Sequence, residues 1–161
     1  MKNEDRNNWL EMDDDALIRI CEFSPYKATG RGGQKKNKSS SAVRLVHKPT
    51  DIAVTASKSR CQHTNRKIAL KKLRYQMAFE IRSGELPELS TVEMSPNNKR
   101  FYLWIAYIFD ILHRHHFAIS NCAKELELST SRLIKLLARD DTVWQHVNDQ
   151  RKALALNPLK K

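Results

Sequence analysis

The spacing of apolar residues changes along this chain, and each change predicts a different element. Ala42-Val43-Arg44-Leu45-Val46-His47 and Asp51-Ile52-Ala53-Val54-Thr55-Ala56 are rich in β-branched residues in partial alternation, with Lys48-Pro49-Thr50 between them. That pattern predicts two strands joined by a hairpin turn. From about Gln62 to Arg82 the period lengthens: Ile68, Leu73, Met77 and Ile81 recur near helical spacing, with Lys67, Lys71, Lys72 and Arg74 offset from them. Upstream, Asp13, Asp14 and Asp15 precede Ala16-Leu17-Ile18-Arg19-Ile20. Acids there satisfy free backbone N–H groups and suit the positive end of the dipole, so a short helix is expected. Cys21 to Ala28 then reads as a strand running into a glycine-rich segment. Helix, strand, loop, hairpin and helix make an α+β unit over residues 1–83.

Ser83-Gly84 closes that helix, and Pro87, Ser90, Ser95, Pro96 and Asn97 mark residues 84–98 as a linker. Residues 99–161 predict a small all-α domain. Lys99 to His116 is apolar nearly all round, as in a buried central helix. Asn121 to Leu126, a turn at Glu127-Leu128, and a Ser129-capped run to Leu137 look like a helix-turn-helix.

Charge sharpens this division. Residues 27–74 carry fourteen Lys and Arg against one acid, Asp51, whereas residues 1–26 carry three bases and seven acids. Such a local surplus is expected of a segment that approaches a polyanion, with a solvated basic face as the plain alternative. Cys21, Cys61 and Cys122 are scattered without a Cys-x-x-Cys pair, which argues for a reducing compartment and against a disulfide framework or zinc ribbon. Cys61 reads as a buried small residue at a strand-to-helix corner. The start of the chain has neither an apolar signal core nor an Arg-rich leader, and Phe101–Leu112 is interrupted by Asp110 and too short to span a bilayer. A soluble, cytoplasmic protein with no membrane partner is expected.

The chemistry concentrates in Ala28-Thr29-Gly30-Arg31-Gly32-Gly33-Gln34-Lys35-Lys36-Asn37-Lys38. Glycines at 30, 32 and 33 permit positive φ and a close approach to another molecule. The spacing fits neither a dinucleotide fingerprint nor a Walker loop. Gln34 has no useful basicity, but an amide can orient water and, with neighbouring N–H groups, stabilise developing oxyanion charge.

The pattern Ala28-Thr29-Gly30-x-Gly32-Gly33-Gln34-x-x-Asn37-Lys38-x-x-Ser41-Ala42-Val43-Arg44 resembles the signature of class I peptide chain release factors. His47-x-Pro49-Thr50-x-Ile52, Arg60-x-Gln62-x-x-Asn65-Arg66, Ala69 and Leu73 continue it in family order over about fifty residues. The resemblance implies a release-factor-like catalytic domain over residues 1–83, whose loop enters the peptidyl transferase centre and hydrolyses the ester of P-site peptidyl-tRNA. Gln34 would position water, and Gly32 and Gly33 would shape its backbone. Gly30, Arg31, Lys35, Lys36, Asn37, Lys38, Ser41 and Arg44 would hold the loop or contact large-subunit rRNA. Arg60, Gln62, Asn65 and Arg66 would fix the helix behind it and touch RNA. No cofactor and no metal are implied. The ribosome is the partner, a glutamine N5-methyltransferase acting on Gln34 is a further one, and a monomer is expected. Arg31, Lys36, Asp51 and Cys61 depart from the common family residues, with Asp51 standing where glycine is usual.

A factor that reads stop codons needs a large domain reaching the decoding centre, for which 161 residues leave no room. The resemblance therefore implies a short, codon-independent member that rescues stalled ribosomes or large subunits. The alternatives are a ribosome- or rRNA-binding factor without hydrolysis and a DNA-binding regulator reading through Ser129, Thr130, Ser131, Arg132 and Lys135. His113, His115 and His116 read as solvated or core-edge residues rather than metal ligands.

Overall fold

The computed structural model describes residues 5–26, 41–89 and 91–161. Helix α1 covers Arg6–Glu11 and α2 covers Asp14–Arg19. The Asp13 side chain caps α2 by accepting from the Ala16 backbone N–H at 2.7 Å, and Asp14 and Asp15 occupy its first turn. Strands β1 (Cys21–Tyr26), β2 (Ala42–His47) and β3 (Ile52–Ala56) form an antiparallel sheet in that order, with Cys21 opposite His47 and His47 opposite Ile52. Directly opposed residues share a face. Leu45 and Val54 thus lie together against α3 (Gln62–Glu80), while Arg44 and Thr55 share the exposed face.

Helix α3 packs against the sheet and buries Ala69, Leu70, Leu73 and Met77. Lys72 ties the helix to the sheet edge by donating from Nζ to the Thr55 carbonyl at 2.8 Å. Arg74 departs from the basic face expected for this helix. It turns inward and donates to Asp14 at 2.7 Å and to the Met12 carbonyl at 2.8 Å. Four more helices follow: α4 (Phe101–Arg114), α5 (Ile119–Glu125), α6 (Thr130–Leu137) and α7 (Asp141–Ala153). Neither α1 nor α7 is among the elements that the hydrophobic pattern predicts.

Buried residues of the sheet, α3 and the later helices form one continuous apolar core, with Phe79 of α3 against Phe109 of α4 at 4.7 Å between ring centroids. Two polar devices join these parts. Tyr75 donates to Asp140 at 2.7 Å, and the other oxygen of Asp140 caps α7 by accepting from the backbone of Thr142 and Val143. Deeper, Asp110 of α4 sits between Arg6 and Arg82. Arg6 donates to its Oδ1 at 2.8 Å, reaches Oδ2 at 2.7 Å and also donates to the Ile81 carbonyl. Arg82 donates to the same Oδ1 at 2.9 Å and to the Ala78 carbonyl at 2.7 Å. Arg6 is fully buried, and loss of hydration draws the Arg82 guanidinium down to about 10 in spite of Asp110. Such a cluster holds only while every charge keeps its partner.

Candidate functional site

Gly30, Arg31, Gly32, Gly33, Gln34, Lys35, Lys36, Asn37 and Lys38 lie outside the described residues. Their frame is described in full. Tyr26, the last residue of β1, stands opposite Ala42, the first of β2. The chain therefore leaves the sheet and returns to it at adjacent positions, with the glycine-rich segment between.

Asn65 secures the returning end. It is fully buried in the first turns of α3. Its Nδ2 donates to the Ser41 carbonyl at 2.7 Å and to the Ser59 carbonyl at 2.8 Å, and its Oδ1 accepts from the Ser59 N–H at 2.9 Å. One amide thus joins the residue before β2, the β3–α3 connection and the helix. Both N–H donors of the amide are used, and only one lone pair of Oδ1 has no partner shown. Asn65 is thus fully enclosed, and its three hydrogen bonds hold Ser41 and Ser59 to the helix.

The opposite end of the hairpin is also built around a buried polar group. His47 Nδ1 lies 2.7 Å from the Thr50 hydroxyl, both residues are buried, and Trp9 meets the imidazole edge-on at 4.6 Å. Burial lowers the His47 pKa, and among the described residues Nε2 has no hydrogen-bond partner. Asp51 completes the turn at φ 57°, donating its backbone N–H to the His47 carbonyl at 2.8 Å. A residue with a Cβ occupies a left-handed position there, which explains the departure from glycine as a tolerated cost; Asp is among the residues that accept it best.

The other candidate residues surround this frame. Arg44 projects from the open face of the sheet, Ser41 is half-buried, and Arg60 and Gln62 are exposed at the start of α3. Arg66 pairs with Asp15 at 3.1 Å across an exposed surface. Cys61 is exposed, not buried as its corner position suggested, because the first turn of α3 faces outward and Cys61 is its N-cap residue. Among the described residues no group of three or more His, Cys, Asp or Glu could hold a metal ion. His115 pairs with Glu125 at 2.5 Å, and His113 meets the Phe117 ring edge-on. Among the same residues no helix is long and apolar enough to cross a membrane.

The sequence pattern of a helix-turn-helix corresponds to α5 and α6, with Glu127 at φ 55° in the turn and the Ser129 side chain accepting from the Arg132 N–H at 3.2 Å. Arg132 is engaged in an ion pair with Glu93, so its guanidinium already has a partner within the chain. Two contributors went unseen in the sequence. Ser59 has no motif of its own, and Arg6 lies 104 residues from the aspartate it pairs with. A lone acid within the apolar stretch Phe101–Leu112 was the available sign of a buried ionic partner.

Known proteins share this frame. Residues 13–100 match the RF-1 domain family. Peptide chain release factor 2 of Thermotoga petrophila is 41% identical over 86 residues, covering 49% of this chain and 23% of the relative. Peptide chain release factor 2 of Wolinella succinogenes is 33% identical over 133 residues, covering 78% and 36%. Peptide chain release factor 1 of Caldicellulosiruptor bescii is 43% identical over 74 residues, covering 46% and 21%. The chain thus spans between about a fifth and about a third of the length of these relatives. The matched region takes in the glycine-rich segment, the three-stranded sheet that brackets it and the helix bearing Asn65. With more than half of its residues in that match, the chain belongs to the class I peptide chain release factor family.

Proposed function

We propose that the chain is a codon-independent peptidyl-tRNA hydrolase that acts on stalled ribosomes or free large subunits. Gln34, on a backbone shaped by Gly32 and Gly33, orients a water molecule at the ester between peptide and tRNA. The water oxygen attacks the carbonyl carbon, and the bond to the ribose oxygen breaks. One proton of the water passes to that oxygen and the other is released to solvent, leaving a peptide carboxylate and a tRNA with its hydroxyl restored. An amide supplies position and hydrogen bonding here, not proton abstraction, and effective orientation is worth orders of magnitude in rate.

The observation that supports this best is the anchoring of the glycine-rich segment. Strand pairing at Tyr26 and Ala42 and the Asn65 clamp on Ser41 restrict both of its ends, as a segment that must place one amide at a distant ester requires. Codon independence is part of the same proposal and is addressed directly by an assay with no codon in the A site. Methylation of Gln34 by a dedicated methyltransferase and a cytoplasmic, monomeric state belong to the same proposal. The test is peptide release from P-site peptidyl-tRNA on ribosomes with no codon in the A site. Wild type should release and Gln34→Ala should not, with ribosome affinity unchanged. Binding without release by wild type would leave a non-hydrolytic ribosome-binding factor.

A further inference from the structure

The stretch Glu11–Asp15 carries four acids, and its surroundings would be negative if those charges were free. They are engaged. Glu11 accepts from Arg100 at 2.7 Å, Asp14 from Arg74 at 2.7 Å and Asp15 from Arg66 at 3.1 Å, while Asp13 is spent on capping α2. Glu11, Asp13 and Asp14 of this ridge line a cleft of about 540 Å³ between the α1–α2 turn, α3 and the start of α4, together with Lys67, Lys71 and Lys99. None of the three forms an ion pair or hydrogen bond among the described residues, and all are exposed. Lys67 and Lys71 stand one turn apart on α3, so they share a face. The cleft also holds the half-buried ring of Tyr102, fixed edge-on against Tyr75 at 5.2 Å with the Arg74 guanidinium 5.9 Å from its centroid.

Three exposed lysines without ion pairs, one of them Lys71 with its ammonium 5.8 Å from the Tyr75 ring centroid, together with a held aromatic ring are components that bind single-stranded nucleic acid: ammonium groups meet phosphates and a ring stacks on a base. We propose that this cleft binds an unpaired RNA segment through Lys67, Lys71 and Lys99, with Tyr102 as its stacking surface. None of its described lining residues belongs to the glycine-rich segment, and its role as a second hold on ribosomal RNA rests on the function proposed above. A free nucleotide would share the phosphate chemistry, but RNA is favoured because three separate cations can engage successive phosphates.

The test measures binding of the full chain to a fluorescein-labelled twelve-residue oligoadenylate and to vacant large subunits over a range of salt concentrations. Lys67→Gln/Lys71→Gln/Lys99→Gln should weaken oligoadenylate binding at least tenfold at 0.1 M salt and reduce the salt slope by about 2, near 0.7 per lost phosphate contact. Tyr102→Leu should weaken binding without changing the slope. Lys124→Gln/Lys135→Gln/Lys152→Gln, with the same charge loss on the later helices, should cost less than threefold. Equal losses from both triple variants, or none from the first, would overturn the proposal. So would displacement of the oligonucleotide by adenosine monophosphate at a concentration no higher than that of oligomer nucleotides, which would mark a mononucleotide site. Gln34→Ala separates the two readings, since it should abolish release and leave the salt slope intact. Lysine-dependent RNA binding by a wild type that releases no peptide would sink the hydrolase and keep the cleft. Gln34-dependent release with unchanged binding by the cleft variant would do the reverse.

Discussion

Removing the Asn65 amide tests whether the frame holds the glycine-rich segment. Asn65→Ala deletes two donors and one acceptor and leaves the Ser41 carbonyl, the Ser59 carbonyl and the Ser59 N–H without their partner. A net hydrogen bond is worth about 1 kcal/mol, and an orphaned buried group costs more. Ser41 and Ser59 are half-buried, so water recovers part of the loss. The expected destabilisation is about 2–4 kcal/mol, or a fall in Tm of roughly 5–15 °C at about 2–4 °C per kcal/mol for a chain of this size. Thermal unfolding followed by circular dichroism reads that quantity directly. Peptide release well below Tm reads the positioning role, where a displacement of about 1 Å can cost on the order of 10²-fold. Asn65→Asp should be worse than alanine, because it keeps the acceptor for Ser59 but faces two carbonyls with a charged oxygen. A change below about 0.5 kcal/mol, the usual range of an unimportant surface substitution, would refute the energetic argument. A destabilised variant with undiminished release would refute the positioning argument.

Other outcomes follow from the remaining polar sites. Asp51→Gly should stabilise the chain by roughly 0.5–1 kcal/mol in urea unfolding, because φ 57° costs a residue with a Cβ but not glycine. Arg6→Ala should destabilise by about 3–5 kcal/mol, since it leaves Asp110 buried with only Arg82, whereas removing exposed Arg66 from Asp15 should cost under about 1 kcal/mol. Stability should fall as pH drops below about 6.5, the ordinary histidine value. Burial lowers the pKa of both His47 and His146, so the unfolded chain binds the extra protons first and the loss deepens as pH approaches the folded values. Urea midpoints at pH 7.5, 6 and 5 measure this, and His47→Gln should flatten the dependence.

Much of the frame was legible because its signals are local. Three aspartates before Ala16 announced the capped α2, β-branched alternation marked β2 and β3, and the recurrence near helical spacing from Ile68 to Ile81 marked α3. Helix α7 escaped because its buried face reduces to Val143 and Val147, and its strongest cue is the capping side chain of Asp140. Helix α1 is only six residues long and owes its place to tertiary contacts of Trp9, Leu10 and Arg6. Cys61 was misjudged for a related reason: residue type favours burial, but the helix phase sets which side of a first turn faces the core. The roles of Ser59 and Arg6 could not be read at all, since each depends on a partner that only the fold brings near.

The Arg6–Asp110–Arg82 cluster also bears on the order in which this protein can be made. Arg6 is synthesised 104 residues ahead of its counter-charge, Asp110. Until Asp110 has emerged, burying Arg6 would strand a cation in apolar surroundings, so the nascent segment around Arg6 must keep that side chain in water. Helix α1 therefore cannot take its final seat on α3 before Asp110 has been translated. The arginine acts as a timing device: it defers completion of the frame around the glycine-rich segment until α4 has been added.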